Sequence, residues 1–139
     1  MIKTCNKLTK DKIRVLEEKS RKLIINNSSL ASFNVVKVDG CYKTTGNKCD
    51  YLVEITDKLN VVTKVYYVEL KGCRLSDALE QLLETINYCL SIHSEKNKIA
   101  IAILSRVPQI TTGIQAYQKK MKNMGIECII KSSIYTVSI

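Results

Sequence analysis

The sequence predicts an α/β fold in which a mixed central sheet is flanked by helices. Strand-like runs bounded by polar turns fill much of the first half, and a strongly amphipathic helical pattern covers 76–93. Apolar runs then alternate with another helical pattern, which is typical of β-α-β crossovers and parallel strands. The predicted order is α-β-β-β-α-β-α-β, in a single domain over residues 1–139.

The N-terminal part is expected to contain the first helix, over residues 10–26. Thr9 suits its N-cap, and the polar run 26–29 ends it. The apolar positions of this segment fall on one helical stripe, which consists of Ile13, Leu16, Leu23 and Ile24.

Three consecutive strands are expected over 33–38, 49–56 and 62–70, because β-type residues recur there between short polar breaks. Breaks of this length favour an antiparallel meander. Asp39 falls in the first break and is interpreted as a turn former.

The second helix is expected to begin at Ser76, a suitable N-cap. Its apolar face consists of Leu79, Leu82, Leu83, Ile86, Cys89, Leu90 and His93. His93 is the one histidine of the chain, and its place on this stripe favours a structural imidazole over a catalytic base. A strand over 99–104, a third helix over 113–124 and strands over 126–131 and 134–137 complete the predicted order.

Composition predicts a soluble, cytoplasmic protein. No apolar run approaches the roughly 18 residues of a membrane span, and the N-terminus lacks a signal-peptide pattern. The net charge of +9 favours a polyanionic partner, although a basic surface also serves solubility alone. Six cysteines without Cys-x-x-Cys spacing are expected to be free, mostly buried thiols.

Charged residues lie where a packed strand would carry apolar ones. At the end of the strand over 62–70, Glu69 and the next-but-one residue Lys71 share a face with Tyr67, and Asp50 lies near the start of the preceding strand. Burying a carboxylate costs several kcal/mol unless it is paired. Asp50, Glu69 and the main-chain carbonyl of Leu70, together with waters, form an oxygen-rich ligand set that suits Mg²⁺.

This arrangement, Asp50 followed by Glu69-Leu70-Lys71 on the next strand, resembles the PD-(D/E)XK nuclease superfamily, whose restriction-endonuclease-like fold has an αβββαβ core. The resemblance covers residues 10–106 and implies Mg²⁺-dependent hydrolysis of phosphodiester bonds, with Mn²⁺ as a substitute ion. Asp50 and Glu69 match the metal-binding acids of the family, and Lys71 matches its lysine. Cys49 stands where the family name calls for proline.

Many members, the archaeal Holliday-junction resolvases among them, also use a glutamate from the first helix. On the predicted helix, Glu17 lies beside the apolar stripe and Glu18 on the solvated side, so Glu17 is the candidate. The alternative is a carboxylate at the stripe's edge with its tip in solvent. Some branches carry a glutamine on the helix that follows, which Gln81 matches, the alternative being a solvated position.

The resemblance implies a nucleic-acid substrate, with DNA favoured over RNA, and the lack of a long apolar run predicts no membrane partner. The candidate nucleic-acid-binding residues are Lys71, Arg74, Gln81, Lys119, Lys120 and Lys122. Cleavage selective for DNA structure, non-specific cleavage and targeting by a partner all remain open, and small relatives that cut branched DNA are homodimers. The competing functions are a non-catalytic nucleic-acid-binding, regulatory or inhibitor module on the same fold, and a plain ion pair of Glu69 with Lys71.

Overall fold

The computed structural model describes residues 1–70, 74–106 and 109–139. The strands in chain order are β1 Asn6–Thr9, β2 Ile13–Glu18, β3 Arg21–Asn26, β4 Phe33–Lys37, β5 Tyr51–Thr56, β6 Val62–Glu69, β7 Asn97–Leu104, β8 Ile126–Ser132 and β9 Ile134–Ser138. The helices are α1 Leu75–Tyr88, α2 Leu90–His93 and α3 Thr112–Asn123.

A six-stranded mixed sheet forms the centre of the fold, in the order β1-β4-β5-β6-β7-β8. Strands β4, β5 and β6 pair antiparallel, so the predicted meander is confirmed. Strands β7 and β8 continue the sheet parallel to β6, and helices α1 and α3 lie in the two crossovers. The α/β class and the parallel component are therefore confirmed.

The predicted first helix is wrong. Residues 13–26 form the hairpin of β2 and β3, and β9 pairs parallel with β3 to complete a three-stranded sheet. The hairpin turn places Lys19 and Ser20 at φ 47° and 70°, which is the mirror-image turn that joins twisted strands tightly. Neither lysine nor serine is typical of that turn. The apolar positions of residues 13–26 also fit one helical stripe as well as they fit two alternating strands.

Two apolar layers cover the two faces of the central sheet. Helices α1 and α3 pack on one face, where Leu79, Leu82 and Met121 are fully buried. The three-stranded sheet packs on the other face through Leu16, Leu23 and other inward residues. Among the described residues, the helices thus pack on one side of the central sheet, and the predicted αβββαβ core is not confirmed because strands stand where its first helix was expected.

The second helical pattern is confirmed with two corrections. The helix begins at Leu75 with Arg74 at the N-cap position, so Ser76 is not the cap. It also breaks at Cys89, after which α2 forms a short separate helix that ends at His93. Among the described residues, no helix is long and apolar enough to cross a membrane.

The expectation of free thiols is wrong for two cysteines. Cys5 and Cys41 form a disulfide that joins residues 36 positions apart and ties the segment before β1 to the turn after β4. Cys49, Cys89 and Cys128 are free, and Cys73 lies outside the described residues. The spacing of the cysteines in the sequence does not indicate this disulfide. The two residues come together because strand β1 pairs with strand β4.

Candidate active site

Two carboxylates meet where β5 begins and β6 ends. Tyr51 pairs with Val68, so Asp50 and Glu69 are the next residues along the two strands. Asp50 is 3% exposed and Glu69 2% exposed. Tyr67 packs in the helix-side core, whereas Tyr66, Val68 and Leu70 pack in the opposite core. This alternation confirms that Glu69 and Tyr67 share a face, and we call Asp50 and Glu69 the acid pair.

The main chain at the end of β6 is fixed from two directions. The N–H of Leu70 donates to Asp50 Oδ2 at 2.7 Å, and the N–H of Asp50 donates to the carbonyl of Val68 at 3.1 Å. On the other side, Arg21 Nη1 donates to the carbonyl of Leu70 at 2.8 Å. The Leu70 carbonyl, predicted as a metal ligand, therefore already accepts a hydrogen bond from a cation.

The turn after β4 supports Asp50 through its main chain. The N–H groups of Val38 and Asp39 both approach the Asp50 carbonyl, at 3.0 Å and 3.4 Å. Asp39 lies in this turn, as its interpretation as a turn former requires, and forms an ion pair with Lys48 at 3.8 Å. Cys41, in the same turn, is the residue that the disulfide joins to Cys5.

Helix α1 contacts the start of β5 through Thr85. Its hydroxyl accepts a hydrogen bond from the N–H of Cys49 at 2.9 Å and donates to the carbonyl of Gln81 at 2.8 Å. Burial raises the pKa of the Cys49 thiol, and the charges of Glu69 and Asp50 raise it further against the opposing hydrogen bond with Thr85. Cys49 is therefore a neutral thiol beside the acid pair and not a nucleophile.

Gln81 lies one turn before Thr85 on α1. Its side chain is half-buried, and Gln81 Oε1 is shielded from solvent with no hydrogen-bond partner among the described residues. Residues four apart share a helical face, so Gln81 lies on the side of α1 that faces Cys49. The alternative of a fully solvated position is wrong.

The helical preference for Glu17 over Glu18 does not hold, because both residues lie on strand β2. Glu17 points outward on β2, half exposed, where it forms an ion pair with Lys22 at 3.9 Å. Glu18 alternates to the inner face with Leu16, and Glu18 Oε1 lies 3.5 Å from the hydroxyl of Tyr51. If the segment is interpreted as a strand, alternation of its side chains places Glu18, and not Glu17, on the inner face.

The described basic candidates, Arg74 and the three lysines of α3, lie toward different ends of the sheet. Lys71 lies outside the described residues. Arg74 is exposed and follows Leu70 by four positions, directly before α1. Lys119, Lys120 and Lys122 are exposed in the second half of α3. Glu69 pairs with Ala102 near the end of β7, whereas α3 leads to Ile126, which pairs with Lys98 at the start of β7. These three lysines therefore lie toward the end of the sheet opposite the acid pair.

A buried polar network was not foreseen from the sequence. Tyr67 and His93 Nδ1 are 2.6 Å apart, and His93 Nε2 lies 2.8 Å from Glu54 Oε2. Glu54 Oε1 accepts hydrogen bonds from the N–H of Ile2 and from Asn34. The side chains of Tyr67, His93, Glu54 and Asn34 are fully buried. His93 is thus bonded at both ring nitrogens, which agrees with its interpretation as structural.

The carboxylate oxygens of the acid pair are donors of the type that a hard divalent cation binds. Carboxylate oxygens are the ligands that Mg²⁺ prefers, and Mg²⁺ needs few of them because it retains several waters. Within residues 1–70, 74–106 and 109–139, no group of three or more His, Cys, Asp or Glu side chains is placed to hold a metal. The acid pair therefore offers Mg²⁺ or Mn²⁺ two carboxylates and, among the described residues, no third ligand of these types.

No protein-family model matches the chain, and no curated protein or solved structure matches it significantly.

Proposed function

We propose that this protein is a Mg²⁺-dependent nuclease that hydrolyses phosphodiester bonds of DNA at the acid pair. The observation that carries the proposal is the adjacency of two buried carboxylates, Asp50 and Glu69, at neighbouring strand ends. Burial of two adjacent carboxylates destabilises a fold unless a cation or hydrogen bonds stabilise them. The net charge of +9 supports a polyanionic substrate.

Each residue has a distinct task in this proposal. Asp50 and Glu69 hold the ion, which when bound supplies Lewis-acid stabilisation of charge on the phosphate. Lys71 orients the attacking water, Arg74 contacts the nucleic acid from directly before α1, and Gln81 contacts it from the middle of that helix. Arg74 is exposed, and the shielded oxygen of Gln81 lies on the face of α1 that adjoins the acid pair.

The test uses purified protein with labelled single-stranded, duplex and four-way-junction DNA, and with RNA of matched sequence. Each substrate is incubated with Mg²⁺, with Mn²⁺ or with EDTA. Cleavage is expected only with a divalent ion, and Glu69→Gln is expected to lower its rate at least about 100-fold. Glu17→Gln is the matched control, because Glu17 lies on the exposed face of β2.

A second candidate is a non-catalytic nucleic-acid-binding or regulatory module, and the contact of Arg21 with the Leu70 carbonyl favours it. A cation on that oxygen opposes the binding of a divalent ion there by charge repulsion. This candidate predicts that DNA binds equally well in Mg²⁺ and in EDTA and is never cut. Cleavage that requires Mg²⁺ and is lost in Glu69→Gln excludes it.

The proposal also includes a two-fold homodimer, which would suit a branched substrate. Sedimentation at several protein concentrations tests this part separately. A species of 15.7 kDa at all concentrations contradicts it.

A further inference from the structure

We propose that Arg21 is a positioning residue of the acid pair, a role that rests on the proposed function. Arg21 opens β3 and pairs with Glu18 across the hairpin turn. It acts through Leu70, whose main chain it fixes against Asp50.

The geometry begins with the alternation of the hairpin strands. Leu23 and Ile25 point from β3 into the core beneath the central sheet, and Arg21 shares their face. Leu70 belongs to the same core. Arg21 therefore reaches the end of β6 from the side of the sheet opposite α1.

Leu70 connects the two sides of the sheet. Its N–H donates to Asp50 Oδ2, and its carbonyl accepts from Arg21 Nη1. A hydrogen bond from a charged donor is stronger than a neutral one, and a planar guanidinium fixes direction as well as distance. Holding the carbonyl in place therefore also holds the N–H that sets the position of the Asp50 carboxylate.

The hairpin is built to hold Arg21 firmly. The turn at Lys19 and Ser20 is the shortest that joins two antiparallel strands, so the first residue of β3 has little freedom. Arg21 Nε is shielded from solvent and has no hydrogen-bond partner among the described residues. A buried donor without a partner lowers the stability of the fold. Its presence is consistent with selection of Arg21 for its contact with Leu70 and not for the stability of the hairpin.

The first experiment follows amide hydrogen exchange by NMR in wild type, Arg21→Ala, Arg21→Lys and Arg14→Ala, without metal or DNA. Arg14 is the matched control, because it lies on the inner face of the same hairpin but forms its ion pair with Asp11 at 3.7 Å. Arg21→Ala is expected to speed exchange at Leu70 about tenfold, with the amides of β5 and β7 unchanged. Arg21→Lys keeps a cationic donor and is expected to restore most of the protection.

Two exchange results would overturn the proposal. One is unchanged exchange at Leu70 in Arg21→Ala. The other is equal acceleration throughout β2 and β3, which would mean that Arg21 serves hairpin stability alone. Because this readout needs neither metal nor DNA, it decides the positioning role whether or not the protein proves to be a nuclease.

The second experiment measures Mg²⁺-dependent cleavage in the same variants. A positioning role predicts that Arg21→Ala lowers kcat about tenfold with KM within about twofold, and that Arg21→Lys recovers most of kcat. An increase in KM at constant kcat would show that Arg21 binds substrate directly, which overturns the role. Absence of cleavage by every variant, including wild type, counts against the proposed function and leaves the exchange result to decide the role of Arg21.

Discussion

The side chain of Asp50 accepts a hydrogen bond from the main-chain N–H of Leu70 at 2.7 Å. This bond joins the start of one strand to the end of its neighbour and brings Asp50 next to Glu69. The site is therefore set by strand pairing and by a side-chain bond to the main chain.

Asp50→Asn is expected to abolish metal-dependent cleavage while preserving the fold. Asparagine keeps a carbonyl oxygen that can accept from Leu70 but loses the negative charge that attracts a divalent ion. The rate of cleavage should fall at least about 100-fold, and the thermal midpoint should change little. Cleavage at the wild-type rate would remove Asp50 from the site.

Arg74→Gln is expected to weaken DNA binding more than Lys120→Gln does. Arg74 lies directly before α1 and four positions after Leu70, whereas Lys120 lies in the last turn of α3. Loss of one phosphate contact should reduce the slope of log affinity against log salt by about one. Equal losses of DNA affinity in the two variants would instead indicate that the binding surface includes α3.

Reduction of the Cys5–Cys41 disulfide is expected to lower the free energy of unfolding by about 2–4 kcal/mol, because the bond restricts the unfolded chain. Urea unfolding with and without dithiothreitol measures this difference. Cys41→Ser should show the lower stability in both conditions, and Cys128→Ser, at a free cysteine, should still respond to the reductant. Equal stability of the wild type in both conditions would contradict the bond.

Stability should fall in acid because of Glu54. Burial alone would raise the pKa of Glu54, but hydrogen bonds from His93, Asn34 and the N–H of Ile2, with the charge of His93, lower it below its ordinary 4.5. The ionised form is thus favoured by folding. Its contribution is complete above about pH 4.5 and is lost as the pH falls through the lower pKa of the folded state.

Urea unfolding between about pH 3 and pH 6 tests this dependence in Glu54→Gln. The variant should be less stable than wild type at the upper end, and the difference should shrink in acid. Glu17→Gln, on the exposed hairpin face, should keep the wild-type dependence. Parallel curves for wild type and Glu54→Gln would exclude Glu54 as the source.

Ser20→Gly is expected to stabilise the protein by about 0.5–1 kcal/mol. Ser20 adopts φ 70°, a left-handed conformation that costs a residue with a Cβ atom more than it costs glycine. Ser94→Gly is the control, because Ser94 has φ −55° and gains nothing from the change. Thermal unfolding of both variants measures the effect, and a loss of stability in Ser20→Gly would contradict the turn geometry.

The acid pair could be predicted because its signals are local. Asp50 opens one strand-like run, Glu69 closes the next, and a short break between the runs leads to antiparallel pairing. The preference for Glu17 over Glu18 depended on whether residues 13–26 form a helix or two strands, which local periodicity does not decide. The contact of Arg21 with Leu70 was out of reach for the same reason.

The sequence by itself determined the meander, the amphipathic helix α1, the two crossovers and the adjacency of Asp50 to Glu69, since each follows from periodicity and short connections. The tertiary structure decided the identity of the N-terminal segment, because β3 is completed by β9, which lies more than a hundred residues later in the chain. It also decided the Cys5–Cys41 bond and the buried network around His93. These features join residues far apart in sequence, and no local pattern encodes which of them will meet.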